Sequence, residues 1–273
     1  MKSIYKTNFE HIRQAYAAVF AALERASKQF GVEFCLIGAQ ARDVWTAHLN
    51  AAKRTTRDID FTVWLNDQEA WEKLSAYLIA EECFERAAKQ PCRFYHQGAI
   101  VDIIPFGGIE KDGEVVLHPP TIELSVYGCQ EVAEEAVTVK GPFKVVTIPG
   151  LCILKLISFD EKPDWRAKDW DDFIFLQTTY ADIATKDLFS GQHDELVEEI
   201  AELPLAAARL LGRHMQPIAN KNKALKTKII CILQSRLRNF SQAEIDQMYE
   251  REKGDSTIRT WKLISQTIKG LKD

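Results

Sequence analysis

The sequence predicts an α+β domain followed by a helical domain, and three observations carry that expectation. Up to about residue 148, short β-patterned segments alternate with helical ones. From Pro149 onward only the helical period remains. The chain of 273 residues, 46% of them hydrophobic, is long enough to bury a sizeable core. Domains are accordingly expected at residues 1–148 and 149–273.

The elements follow in order. Phe9 to Phe30 places Ile12, Tyr16, Val19, Phe20 and Leu23 at helical spacing, with Gly31 as a stop, so a single first helix is expected. Phe34 to Ile37 reads as a short strand ending at Gly38, Ala41 to Ala52 as a helix, and Asp58 to Leu65 as a strand alternating acid and apolar residues. A helix over Gln68 to Leu78 follows Asn66 as a cap. Strands at Cys92 to His96 and Ala99 to Pro105 are joined by a Gln97-Gly98 hairpin turn. Further strands are expected at Glu114 to Leu117, Ile122 to Val126, Val137 to Lys140 and Phe143 to Ile148, with a turn at Gly141-Pro142. The helices of the second domain are read at Pro149 to Phe159, Arg166 to Thr179, Asp194 to Leu203, Lys221 to Asn239, Gln242 to Glu250 and Ser256 to Lys269.

Composition excludes several classes. The longest apolar run, Ala15 to Leu23, is too short for the ~20 residues that cross a bilayer, so a soluble, cytoplasmic chain without a membrane partner is expected. Six cysteines without a C-x-x-C pair read as buried thiols. His48, His96, His118, His193 and His214 show no ligand spacing with cysteine or one another, and are expected on the surface or in turns; zinc is not indicated. Net charge is −4, but Leu205 to Phe240 holds eight basic residues and no acid. Three readings of that stretch stay open: an RNA acceptor surface, a protein or antitoxin surface, and plain solubility.

The chemistry-bearing signal is a set of acids where a core is expected. Asp58 and Asp60 lie two apart on a strand and so share a face, about 7 Å apart, while Ile59 and Phe61 face the opposite layer. Beside a packed sheet such a pair needs a cation or a proton to compensate it. Asp102 interrupts the apolar strand Ile100 to Ile104. Three oxygen donors of this kind suit Mg²⁺ or Mn²⁺ and the two-metal chemistry of phosphoryl or nucleotidyl transfer. The competing reading pairs Asp58 with Arg54 or Arg57, caps a turn with Asp60, and puts Asp102 at a sheet edge.

Upstream, Leu36-Ile37-Gly38-Ala39-Gln40-Ala41 has the form of a strand, a tight turn and a helix whose exposed amides suit a phosphate. With Arg54-Thr55-Thr56-Arg57-Asp58-Ile59-Asp60 and Val101-Asp102-Ile103, it resembles the polymerase-β-like nucleotidyltransferase superfamily, and more narrowly the AbiEii/AbiGii toxin type of toxin–antitoxin systems. The resemblance spans residues 34 to 175. It implies a mixed β-sheet flanked by helices and followed by a helical domain, acting as a metal-dependent transferase of a nucleoside monophosphate from an NTP to an acceptor hydroxyl. That acceptor is expected to be tRNA or protein, with two alternatives: a small-molecule adenylyltransferase of the aminoglycoside type, and a degenerate nucleotide- or partner-binding protein. The resemblance makes Asp58, Asp60 and Asp102 metal ligands, with Asp102 also activating the acceptor. It puts Gly38 and the amide of Ala39 at the triphosphate. Ala39 departs from the usual glycine or serine, and the eighteen residues between it and Asp58 are a long spacer. Arg42-Asp43 is similar to the G-G-x-x-R-D form of tRNA nucleotidyltransferases, with Arg42 either on a phosphate or paired with Asp43.

A second motif joins Lys155, inside an apolar helix, to Arg166, Asp169 and Asp172. Asp169 and Asp172 share a helix face. They either bridge Lys155 as a buried ion pair, or, as the family pattern implies, act with it at the triphosphate and nucleotide. The neighbouring Trp165, Trp170, Phe173 and Phe175 either stack a base or pack helices together.

Overall fold

The computed structural model describes residues 8–47, 49, 58–238 and 256–273. The motif residues Arg54 to Arg57, His48 and the expected helix at Gln242 to Glu250 lie outside them. The chain divides into two compact units between Leu151 and Cys152. No helix among the described residues is long and apolar enough to cross a membrane.

The first unit is built on nine strands, β1 (Phe34–Ile37), β2 (Asp58–Leu65), β3 (Glu85–Arg86), β4 (Arg93–His96), β5 (Ala99–Gly107), β6 (Glu114–Leu117), β7 (Ile122–Ser125), β8 (Val137–Lys140) and β9 (Phe143–Val145). Seven form a sheet in the order β3-β4-β5-β2-β1-β9-β8, while β6 and β7 pair separately. The sheet is mixed: β2 runs parallel to β5, and β1 to β9. Helices α1 (Phe9–Ala15), α2 (Ala17–Phe30), α3 (Gly38–Thr46), α4 (Gln68–Ala80) and α5 (Cys129–Glu134) accompany it. This is the α+β architecture with a flanked mixed sheet.

Period-two alternation sorts the strands into two faces. From β2, Ile59, Phe61, Val63 and Leu65 are all buried. Phe61 joins Phe9, Phe20 and Phe143 in an edge-to-face and tilted ring cluster, with Phe20 to Phe143 at 4.8 Å and Phe20 to Phe61 at 5.6 Å, which fastens α1 and α2 to that face. Trp71 of α4 packs on Phe94 of β4. The indole of Trp45 in α3 donates to the carbonyl of Val146 at 2.6 Å. The polar face of β2 is left to Asp58, Asp60 and Thr62.

Several boundaries differ from expectation. The first helix is two, broken at Tyr16, whose backbone leaves the helical region (φ −118°, ψ 36°). Asp67 rather than Asn66 caps α4, accepting from the Ala70 amide. The Gln97-Gly98 turn has positive φ at both residues, as a two-residue hairpin requires. Of the cysteines, Cys83 and Cys231 are exposed, so the expectation of six buried thiols is corrected.

The helical part comprises α6 (Ile148–Glu161), α7 (Ala167–Ile183), α8 (Thr185–Leu188), α9 (Asp194–Glu199), α10 (Leu203–Ala219), α11 (Lys223–Arg238) and α12 (Ser256–Lys272). Helix α10 was not expected, because Gly212 and Pro217 interrupt its pattern. Gly212 is what lets α10 and α12 touch backbone to backbone: a Cβ there would lie 2.2 Å from the Thr267 carbonyl oxygen. Thr267, fully buried, donates to the Ala208 carbonyl and accepts from Gln177.

Three bases of the acid-free stretch find acids elsewhere in this unit. Arg209 holds Asp273 and Glu199, Arg213 holds Glu195 and Asp273, and Lys228 holds Asp160. Arg236 lies over the rings of Phe159 and Trp170 at 4.7 and 4.6 Å. The tRNA and antitoxin readings lose their support to that extent. Trp170 also packs against Phe159 and Phe173, so those aromatics join helices, whereas Trp165 is exposed. His96, stacked on Phe84, and His214 are buried, a correction to their expected surface placement.

Candidate functional site

Strand register assembles the acids. Asp60 on β2 sits opposite Asp102 on β5, Ile37 on β1 sits opposite Asp60, and Arg93 on β4 sits opposite Asp102. Neighbouring strands are about 4.8 Å apart, so aligned residues project from one face. Asp58, two residues before Asp60, belongs to the same face. Asp102 lies on an interior strand, between β4 and β2, not at a sheet edge.

Arg93 is the cation of this cluster. Its Nε and Nη2 donate to the two oxygens of Asp102 at 2.8 and 2.7 Å, a bidentate fork, and Nη2 lies 3.5 Å from Asp58 Oδ2. The hydrogen bond to Asp102 is the largest influence holding the guanidinium above its usual range, with burial opposing it. The cluster is open to water: 27% of Arg93, 35% of Asp58 and 16% of Asp102 side-chain surface is exposed. Sequence reasoning missed Arg93, yet a signal was there. A two-residue turn at Gln97-Gly98 pairs His96 with Ala99 and, three rungs on, Arg93 with Asp102.

Gly38 fits under Asp60. Its φ is +68°, and a Cβ there would lie 2.1 Å from Asp60 Oδ2, so the turn into α3 admits no side chain while that carboxylate keeps its place. Ala39 follows in the first turn of α3. Arg42 is buried and its Nε donates to Asp43 at 3.0 Å, the pairing alternative of the two expected for it. Tyr16, freed by the helix break, was also missed. Gln40 Nε2 donates to its hydroxyl at 2.9 Å. Burial, and then the charges of Asp58, Asp60 and Asp43, push its phenol above the ordinary value, which puts the ring within the field of the acids.

Asp58 and Asp60 are oxygen donors of the type that binds Mg²⁺ with few protein ligands, while the ligand atoms of Asp58, Asp60 and Asp102 do not all lie within 4.8 Å of one another. Asp102 has both oxygens on Arg93, so it enters such a set only by giving one up. A cavity of about 590 Å³, lined by Cys35, Thr62, Trp64, Asp67, Lys73 and Lys144 among others, includes none of the three acids. The acids, not that cavity, define the site.

Lys155 meets both partners expected for it. Its Nζ lies 2.5 Å from Asp169 Oδ1 and 2.8 Å from Asp172 Oδ2, and Arg166 Nη1 lies 3.5 Å from Asp169 Oδ2. Burial pulls the ammonium down, but Asp169 and Asp172 outweigh it and hold it above its ordinary value. All three side chains are less than one-fifth exposed.

No protein-family model and no curated protein matches the chain. Among solved structures it is similar to the antibiotic-resistance factor ANT(2'')-Ia. A solution structure of that protein is 16% identical over 67% of this chain and 95% of the other, with a TM-score of 0.36. A crystal structure in complex with adenylyl-2''-tobramycin is 17% identical over 69% and 94%, again with a TM-score of 0.36.

Proposed function

We propose that the chain is a metal-dependent nucleotidyltransferase that moves a nucleoside monophosphate from an NTP to an acceptor hydroxyl and releases pyrophosphate. The observation that carries this reading is the pair Asp58 and Asp60 on the open face of β2, with Asp60 seated on the glycine that starts α3. Mg²⁺ or Mn²⁺ bound by those two acids would neutralise the triphosphate and the charge that builds during transfer. The residues of the chain do the rest. The amides of Gly38 and Ala39, at the start of α3, receive phosphate oxygens. Asp102 takes the proton of the acceptor hydroxyl as its oxygen bonds to the α-phosphorus and the bond to pyrophosphate breaks. Arg93 must loosen one oxygen of Asp102 for this, and its fork then suits a phosphate.

Lys155, Asp169 and Asp172 are assigned to the scaffold of the helical unit, since the ammonium is already matched by two carboxylates. The acceptor is assigned to the small hydroxylated molecules rather than to tRNA. Four of the eight bases in the basic stretch, Arg209, Arg213, Lys228 and Arg236, are engaged within their own unit. This departs from the toxin-type acceptor the resemblance implies.

The test offers each labelled NTP with Mg²⁺ to the chain, with aminoglycosides, total tRNA and protein supplied separately. Label transferred to a small molecule and lost in Asp60→Asn supports the reading. Label on tRNA or protein returns the toxin-like acceptor. Nucleotide binding with no incorporation identifies a degenerate binding protein and ends the enzymatic reading.

A further inference from the structure

We infer that the helical unit carries a site for one borderline divalent cation, Zn²⁺ foremost, at Asp187, His193 and His214. The inference is independent of nucleotidyl transfer. Among the described residues, this is the one group of three His, Cys, Asp or Glu side chains whose ligand atoms all lie within 4.8 Å of one another. Asp187 comes from α8, His193 immediately precedes α9, and His214 comes from α10. Five and then twenty residues separate them, a spacing no short ligand motif contains, which is why the sequence alone shows nothing.

Two imidazoles and a carboxylate form a donor set for Zn²⁺, Co²⁺ or Fe²⁺ rather than Mg²⁺. Asp187 Oδ2 lies 2.7 Å from His214 Nε2, yet it is a buried oxygen with no hydrogen-bond partner, so that close approach is not aligned as an N–H donor would align it. The side chains are 10% and 7% exposed. A buried carboxylate oxygen in this state is costly unless something positive meets it. Tetrahedral zinc with bonds of ~2.0–2.1 Å sets its donors ~3.3 Å apart, so the pair has to open by only ~0.6 Å.

The surroundings orient the ligands. Tyr180 Oη is 2.6 Å from His214 Nδ1. With the ring hydrogen on Nδ1 donating to that hydroxyl, the Nε2 lone pair faces Asp187, the arrangement in which an outer partner fixes a metal-binding tautomer. Arg213 Nη1, 3.3 Å from His193 Nδ1, competes for the second imidazole. Arg213 already holds Glu195 and Asp273, so it loses little on yielding His193. Three protein ligands leave a further coordination position for water or another group.

The experiment uses the full chain, stripped with a chelator and kept in excess Mg²⁺ so that the oxygen donors of the sheet unit do not report. Co²⁺ added alone is expected to bind at a single equivalent, with visible ligand-field bands that Zn²⁺ abolishes, and Zn²⁺ should raise Tm. His193→Gln, at a half-buried position, should weaken binding by ~10-fold or more, and Tyr180→Phe by ~10-fold with the equivalent retained at saturation. If a variant does not fold, the ring ¹⁵N resonances of His193 and His214 in the wild-type chain must shift on adding Zn²⁺. Absence of Co²⁺ uptake, uptake unchanged in folded His193→Gln, or unmoved ring resonances overturns the inference and leaves a metal-free Tyr180–His214–Asp187 chain.

Discussion

Two of the charged clusters among the described residues are built in opposite ways. In the sheet unit, three strands, β4, β5 and β2, bring Arg93, Asp102, Asp58 and Asp60 onto one water-facing surface by register. In the helical unit, Lys155 is gripped by Asp169 and Asp172, which helical spacing places on one face, with Arg166 at the edge. Asp58 is 35% exposed, whereas Asp169 is 9% exposed. A cluster open to solvent can exchange its partners for a ligand at modest desolvation cost. A closed one holds its charges only while each keeps the other. The difference separates a candidate site from a proposed scaffold, and four measurements can break or sharpen it.

The largest expected effect is on stability. Lys155→Met leaves Asp169 and Asp172 buried without their ammonium, a loss of about 3–5 kcal/mol in urea unfolding. Turnover per folded molecule should stay unchanged; its collapse in a folded variant would move Lys155 to the triphosphate and erase the contrast. Next comes Asp60→Asn, expected to cut turnover by about 100-fold or more, ~2.7 kcal/mol in the barrier, with Tm unchanged or higher because a repulsion is relieved. Loss of folding instead would make Asp60 a scaffold residue like Asp169.

The third effect concerns pH. Burial is the dominant cause that lowers His214 from 6.5 to about 4, against the pull of Asp187. The folded state favours the neutral ring, so its stabilisation is complete above pH 6.5 and is lost as pH falls toward 4. Chelator-treated protein should lose about 2 kcal/mol between pH 7.5 and 5 from this group, and His214→Gln should flatten that slope. A slope unchanged by His214→Gln refutes it. The smallest effect is Tyr16→Phe, which removes the hydroxyl that Gln40 binds and should cost ~1 kcal/mol in thermal unfolding. A simultaneous change in the Mg²⁺ dependence of turnover would extend the open cluster to Tyr16.

The sheet unit was more legible in the sequence than the helical one, for a physical reason. Strand alternation is local, so Asp58, Ile59, Asp60 and Phe61 announce their faces directly. The β4–β5 hairpin announces its pairing through two turn residues. Helix α10 carries a local apolar stripe through Leu205, Ala208, Leu211, Met215 and Ile218, but Gly212 and Pro217 read as breaks, and the need for a glycine against the Thr267 carbonyl, more than fifty residues on, leaves no mark in a short window. Arg209 and Arg213 meet Asp273, 64 and 60 residues on, so part of a run that is basic along the chain is neutralised by an acid no short window contains. The break at Tyr16 was invisible because Tyr16 satisfies the helical period it interrupts.

The parallel pairing of β2 with β5 also protects against misassembly. Sliding β2 by a single residue would turn Asp58 and Asp60 toward the phenylalanine cluster and push Ile59 and Phe61 into water, a doubly unfavourable exchange. The same alternation that lays out the acidic patch therefore acts as a proofreading device for chain assembly, and mispaired sheets are rejected on energetic grounds before any ligand is encountered.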